Sequence, residues 1–163
     1  MFADTYFSVL SNFWEIDMSH KKIRILFLCT GNSCRSQMAE GWVRHLHPDT
    51  IEASSAGIEK HGMDPLAIQA MSEADADIGL QRSKLLDDLE SMDFDYVITL
   101  CDHARESCPL FPGNAKMIHH GFDDPRSMTD VEEPDYLRIE PYRRVRDEIK
   151  SFVERLPDII ADN

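Results

Sequence analysis

Two cysteines, an arginine and a run of small polar residues, Cys-Thr-Gly-Asn-Ser-Cys-Arg-Ser, fill positions 29–36 directly after the largely apolar stretch 23–28. Five residues separate Cys29 from Arg35, enough backbone to curl around a tetrahedral anion while the arginine returns over it. A guanidinium offers two directed donors to such an oxyanion, where lysine would offer a flexible point charge. Gly31 can take backbone angles denied to most residues, and Asn32 tolerates the left-handed region better than most. Successive N–H groups can then point inward, and a helix opening near Ser33–Ser36 adds the positive end of its dipole. In that cradle Thr30, Gly31, Asn32, Ser33, Cys34, Arg35 and Ser36 bind the oxyanion, Cys29 sits at its base, and the Ser36 hydroxyl can reach the Cys29 thiolate.

The same residues allow plainer uses. Cys29 could simply end a strand and Cys34 pack in the core, since free cysteines are commonly buried. That reading suits Cys34; it suits Cys29 less well, because glycine, helix start and arginine gather beside it. A second pair, Cys101 and Cys108, lies far along the chain. Intervals of four residues between Cys29 and Cys34 and six between Cys101 and Cys108 are unlike the close pairs of zinc sites, so no metal is expected. Adjacent His119 and His120 resemble a metal pair, but neighbouring strand residues face opposite ways. They read as surface or packing residues.

The elements that must position these groups follow from the apolar pattern. Residues 23–29 read as a buried central strand. Residues 36–47 place Met38, Trp42, Val43 and Leu46 on one helix face. Residues 51–58 form a short strand candidate, and Asp64 with Pro65 is an N-cap and first helical residue ahead of 66–75. A further short helix is predicted over 85–92, strands over 95–101 and 115–120, and a helical stripe through Tyr142, Val145, Ile149, Phe152, Val153 and Leu156 that ends near Pro157. This alternation predicts an α/β fold of three layers around a four-stranded parallel sheet. Loops are expected at 29–35, 57–63, 101–114 and 121–139; those leaving the carboxyl ends of parallel strands converge on a crevice.

At 163 residues the chain suits one domain with a sizeable core. Residues 1–20 are expected to be a flexible N-terminal extension, either a disordered tail or a small packing arm, ahead of a catalytic domain over 21–163. The formal net charge of -13 opposes non-specific binding to nucleic acid or an anionic membrane, so neither is an expected partner and an anionic substrate must be captured locally. No uninterrupted apolar segment reaches membrane-spanning length. A chain this long does not need disulfide staples, and four cysteines point instead to thiol chemistry in a reducing, cytoplasmic setting.

With these residues in place the sequence resembles the low-molecular-weight protein tyrosine phosphatase superfamily, and within it the thioredoxin-coupled arsenate reductases. The resemblance rests on Cys29–Arg35 and the stretch 28–42, then on Ser-Ser-Ala-Gly-Ile-Glu-Lys-His-Gly at 54–62, residues 97–109, Gly-Phe-Asp-Asp-Pro at 121–125 and 143–149, in order over about residues 22–155. It implies that Cys29 is the nucleophile, Arg35 the oxyanion clamp and Asp124 the general acid, although Asp123 stands beside it and Asp-Pro often merely starts a turn. It implies a relay in which Cys29 and Cys101 form a transient disulfide, then Cys101 and Cys108 form one that thioredoxin reduces, with Cys34 an auxiliary thiol. The implied substrate is arsenate, with no tightly bound cofactor and a monomeric chain. Some relatives hold a potassium ion through an acidic residue in the segment matching 81–88; Arg82 and Lys84 flank Ser83 here, which argues against potassium dependence and raises the question of whether Lys84 assists the loop.

A phosphatase using Cys29, Arg35 and Asp124 is the rival activity, and it can coexist with reduction. A non-catalytic oxyanion-binding module with redox-sensing cysteines is the alternative of another class. Along a rigid helix Cys101 and Cys108 would stand about 10 Å apart in rise, beyond the Cα separation of about 4.4–6.8 Å that a disulfide requires. The segment between them must therefore bend, be a loop or unwind.

Overall fold

The computed structural model describes residues 21–111 and 113–163; the expected extension over 1–20 lies outside the described residues. Strand β1 (Ile23–Cys29) is the centre of the architecture because its side chains from Ile25 onward are buried on both faces. It pairs in parallel with β2 (Ile51–Gly57) on one side and β3 (Tyr96–Thr99) on the other, with Phe27 opposite both Ser55 and Ile98. Beyond β3 runs β4 (Lys116–His119), also parallel, giving the strand order β2-β1-β3-β4. The fold is the expected α/β type with a four-stranded parallel sheet.

Side-chain alternation along the strands divides the core into two. Ile25, Phe27 and Cys29 face the helices α1 (Arg35–Leu46), α2 (Pro65–Ser72), α4 (Asp135–Glu154) and α5 (Leu156–Ala161). Leu26 and Leu28 face a smaller cluster that includes Val97 and Ala104 of α3 (Asp102–Ser107). These are the three layers. Trp42 of α1 is buried and donates from its indole N–H to the Arg146 carbonyl of α4 at 3.2 Å, which ties the two largest helices together. The α2 start behaves as its sequence dictates: the Asp64 carboxylate accepts from the Leu66 N–H at 2.9 Å, with Pro65 in the first turn where its missing N–H costs nothing.

Four expectations need correction. The helix predicted over 85–92 is only a 3-10 turn, Leu86–Asp88. The loop expected at 101–114 contains α3, and the loop expected at 121–139 contains a 3-10 turn, Pro125–Met128, and the start of α4 at Asp135. The stripe that was to end near Pro157 ends at Glu154, and Pro157 sits instead in the first turn of α5. In the two expected loops, side-chain caps from Cys101 and Asp124 outweigh the turn-forming composition that suggested otherwise. Among the described residues no helix is long and apolar enough to cross a membrane.

Candidate active site

In the order β2-β1-β3-β4 the connections from β1 and β3 leave toward opposite edges of the sheet, so a crevice opens at the carboxyl ends of these two strands. The loop after β1 and the residues after β3 meet there: the Thr30 hydroxyl lies 3.4 Å from the Cys101 sulfur. Cys29, one residue before Thr30, and Cys101 thus face the same crevice although 72 positions separate them in sequence.

The loop's shape is set by what its carbonyls do. Those of Cys29, Thr30, Gly31 and Ser33 accept from the N–H groups of Ile58, Glu59, His61 and Asp64 at 2.8–3.2 Å. The Asn32 carbonyl accepts from the Gln37 amide at 3.1 Å, and the Cys34 carbonyl from the Met38 N–H at 2.9 Å. Every carbonyl from 29 to 34 is therefore engaged on the outside of the loop. Because C=O and the following N–H point oppositely across a trans peptide, the N–H groups of residues 30–35 are left for the concave side, an arrangement suited to an anion.

Asn32 is the hub. It alone in the loop has a positive φ, +46°, the left-handed region that asparagine tolerates. Its amide donates to Ser36 Oγ and Ser55 Oγ, both at 2.9 Å, while its Oδ1 accepts from Gln37 Nε2 at 2.8 Å and the Lys84 N–H at 2.6 Å. Since Ser36 Oγ accepts from Asn32, its own hydrogen is free for the Cys29 sulfur at 2.8 Å. Gly31 does not use the left-handed freedom expected of it. It is glycine because a Cβ there would lie 2.3 Å from the His61 ring packed over it. Gly57 is needed likewise, since a Cβ would fall 2.8 Å from the Asn32 nitrogen.

Arg35 reaches back as the spacing suggests. Its side chain is 7% exposed, and it donates to the Phe122 carbonyl at 3.0 Å and to Asp124 Oδ2 at 3.3 Å. Its Nε is buried without a hydrogen-bond partner among the described residues, a donor that an oxyanion in the loop would satisfy. Asp124 is also held by Arg126 through its backbone and side chain at 3.1–3.3 Å. Burial alone would raise the Asp124 carboxyl, but hydrogen bonds from Arg126 and the charge of Arg35 outweigh it and hold it below the usual carboxylate range. Asp123 turns to the surface and pairs with Arg144 at 2.7 Å. Of the two adjacent carboxylates, Asp124 is the one at the loop.

The other cysteines differ in setting. Cys34 is buried in the larger core, and burial, reinforced by the Asp64 carboxylate, pushes its thiol well above the ordinary value. Cys101 caps α3, its sulfur accepting from the Ala104 N–H at 3.4 Å. Cys108 ends the same helix against the smaller core, with its thiol pushed up by burial. His119 and His120 diverge as expected: His119 contacts Thr99, and His120 stacks on Phe152 with ring centroids 4.4 Å apart. Among the described residues no group of three or more His, Cys, Asp or Glu side chains is placed to hold a metal ion.

Glu40, Ser55, Gln37 and Ser83 were not apparent as site residues in the sequence. Glu40 is buried one turn after Ser36 and accepts the Ser55 hydroxyl, which links it through Asn32 to the loop. Its charge is met by Arg44 at 2.5 Å and by the Lys84 ammonium at 3.6 Å. The readable signal was the polar set Ser36, Gln37 and Glu40 beside the apolar face of Met38, Trp42, Val43 and Leu46. A protein cation thus already stands beside the buried carboxylate. Exchanging potassium for sodium at constant ionic strength is expected to change turnover by less than about twofold, because an ammonium so placed supplies the local positive charge; a larger change in a steady-state assay would overturn this.

Comparison with known proteins places the geometry in context. The profile of the low molecular weight phosphotyrosine protein phosphatases matches residues 24–163. An arsenate reductase of Halalkalibacterium halodurans is 47% identical over 139 residues, covering 83% of this chain and 97% of that protein. A solved structure of an arsenate reductase in the phosphate binding state superposes with a TM-score of 0.62 at 33% identity, covering 82% of this chain and 95% of that one. A low molecular weight protein tyrosine phosphatase from T. tengcongensis superposes with a TM-score of 0.62 at 25% identity, over 84% of this chain and 99% of that one.

Proposed function

We propose, from the premise that this chain belongs to the low molecular weight phosphotyrosine protein phosphatase family, that it reduces arsenate to arsenite through a cysteine relay recharged by thioredoxin. The observation that carries this reading is the contact between Thr30 and Cys101 at the mouth of the loop, with Cys108 at the far end of α3. Hydrolysis of a phosphomonoester needs neither cysteine.

In this reading the inward N–H groups of residues 30–35 and the Arg35 guanidinium hold arsenate over Cys29. The Ser36 hydroxyl steadies the thiolate. The thiolate attacks arsenic, an As–O bond breaks, and the departing oxygen takes a proton from Asp124 and leaves as water, giving a Cys29–arsenic(V) adduct. Asp124 must carry that proton. In the free site Arg126 and Arg35 favour its ionised form; an incoming oxyanion adds negative charge and draws Arg35 toward itself, and both effects raise the carboxyl again. The Cys101 thiolate then attacks the Cys29 sulfur, and the S–As bonding pair stays on arsenic, which leaves as arsenite, arsenic(III). Cys108 attacks Cys101 and releases the Cys29 thiolate, and the Cys101–Cys108 disulfide accepts two electrons from a thioredoxin dithiol. Cys34 takes no step. The enzyme works in the cytoplasm as a monomer, without a resident cofactor.

Phosphomonoester hydrolysis is a secondary activity of the same Cys29, Arg35 and Asp124, since the loop is suited to either tetrahedral anion. The test is arsenite release coupled to thioredoxin, thioredoxin reductase and NADPH. Arsenate-dependent NADPH oxidation matched by arsenite supports the reading. Hydrolysis of p-nitrophenyl phosphate with no arsenite formed would assign the chain to phosphatase chemistry instead.

A further inference from the structure

The relay leaves one polar contact beside α3 unexplained. Thr99, the last residue of β3, is 1% exposed, and its hydroxyl lies 2.9 Å from Nδ1 of His119, the last residue of β4. The opposite ring nitrogen, Nε2, lies 3.4 Å from Oδ1 of Asp102, the first residue of α3. With the Thr99 hydroxyl donating to Nδ1, the ring carries its hydrogen on Nε2, facing the carboxylate; an imidazolium serves the same bridge with Thr99 as acceptor. The ring therefore spans from the end of the sheet to the first turn of the helix between the relay cysteines.

Among the described residues this is the one contact that a polar side chain of residues 102–107 makes outside the helix itself. The other ion pair of Asp102, to Arg105 at 3.4 Å, stays within α3. His119 also lines, with Thr99, Arg105, Ile118 and Cys108, a cavity of about 350 Å³ beside the helix. Cys108 cannot reach Cys101 while α3 stays wound, and the cavity gives the unwinding segment somewhere to move.

We propose that His119 is a positioning residue for the relay: it ties the first turn of α3 to the sheet, keeping Cys108 from Cys101 until the Cys29–Cys101 disulfide has formed. Premature closure of Cys101 and Cys108 would consume the enzyme's reducing equivalents without arsenate. The proposal rests on the relay described above.

Its test contains no arsenate, so the two readings fail separately. In full-length protein carrying Cys29→Ser and Cys34→Ala, dithiobis-nitrobenzoate converts one relay thiol to a mixed disulfide with loss of one thionitrobenzoate. The second thiol expels another as the intramolecular disulfide closes. The rate of that second release measures closure. His119→Ala and Asp102→Asn are each expected to speed closure about two- to fivefold, the range produced by losing an exposed ion pair. Amide exchange at residues 102–107 should rise to match. His119→Gln, which can still donate to Asp102, should restore closure to near the parent rate, and Arg105→Gln should change it less than Asp102→Asn.

Unchanged closure in both His119→Ala and Asp102→Asn overturns the proposal. So does acceleration in Arg105→Gln equal to that in Asp102→Asn, which would assign the effect to the pair inside α3. If His119→Ala fails to fold, closure in Asp102→Asn, a change at an exposed side chain, decides alone. If the parent never closes, the relay itself falls and amide exchange at 102–107 decides whether His119 restrains the helix.

Discussion

A Cys108→Ser enzyme is expected to release a single equivalent of arsenite per chain and then stop when thioredoxin is the only reductant. It should accumulate a Cys29–Cys101 disulfide that mass spectrometry can map. The first half of the reaction needs only the loop, Asp124 and Cys101, all gathered at the crevice, so arsenic still leaves. The second half needs a thiol that can displace Cys29 from Cys101, and serine cannot supply one. Cys101→Ser should act one step earlier, with the Cys29–arsenic adduct formed but no arsenite expelled by the chain. Phosphatase activity should survive both substitutions, because neither side chain belongs to the anion loop. Continued multiple turnover by Cys108→Ser under these conditions would remove Cys108 from the relay. Arsenite release at the parent rate by Cys101→Ser would remove the relay altogether.

Arg35→Lys is expected to lower kcat for arsenate by about 10²–10³, the usual consequence of losing a directed donor to developing oxyanion charge. The environment explains why the conservative charge does not rescue. Arg35 already uses one terminal nitrogen on the Phe122 carbonyl and the other on Asp124, leaving Nε for the loop. A lysine ammonium at the end of a flexible stem cannot hold the Asp124 segment and address the anion in the same fixed geometry. Substrate affinity should fall as well, since the same side chain grips the ground state. Asp124→Asn should separate from this pattern, with kcat down by about 10²–10⁴ as for other lost general acids and KM little changed. Steady-state kinetics of the pair would check the assignment; equal KM increases in both would show that Asp124 acts by binding rather than by proton transfer.

The sequence was most legible where structure is local. The apolar run into Cys29 and the cap formed by Asp64 and Pro65 depend on adjacent residues, and they appear as expected apart from shifts at element ends. The short helix α3 was hidden because its six residues, Asp-His-Ala-Arg-Glu-Ser, lack an apolar stripe. What supports it is the Cys101 sulfur at its start and the burial of Ala104. The start of α4 fell inside the loop expected over 121–139, because the apolar stripe begins only at Tyr142; Pro134 occupies the N-cap and the helix continues through Pro141. The network around Asn32 was illegible for another reason. Its partners Ser55 and Lys84 come from separate loops and strands, and only the fold brings them to one amide. The role of Gly31 was misread because backbone freedom and close packing leave the same mark in a sequence.

The outward turn of every carbonyl from Cys29 to Cys34 bears on how such an enzyme chooses its substrate. A receptor made of peptide N–H groups reads charge and tetrahedral shape, which phosphate and arsenate share, and it offers almost no means of preferring the scarcer one at the moment of capture. In the relay proposed above, discrimination is therefore kinetic and comes late. A phosphorus(V) thioester on Cys29 would have no accessible two-electron reduction and could only hydrolyse or depart, whereas the arsenic adduct would drain through Cys101. Phosphate is a reversible tenant that slows the enzyme without misleading it, and selectivity resides in the exit rather than the entrance.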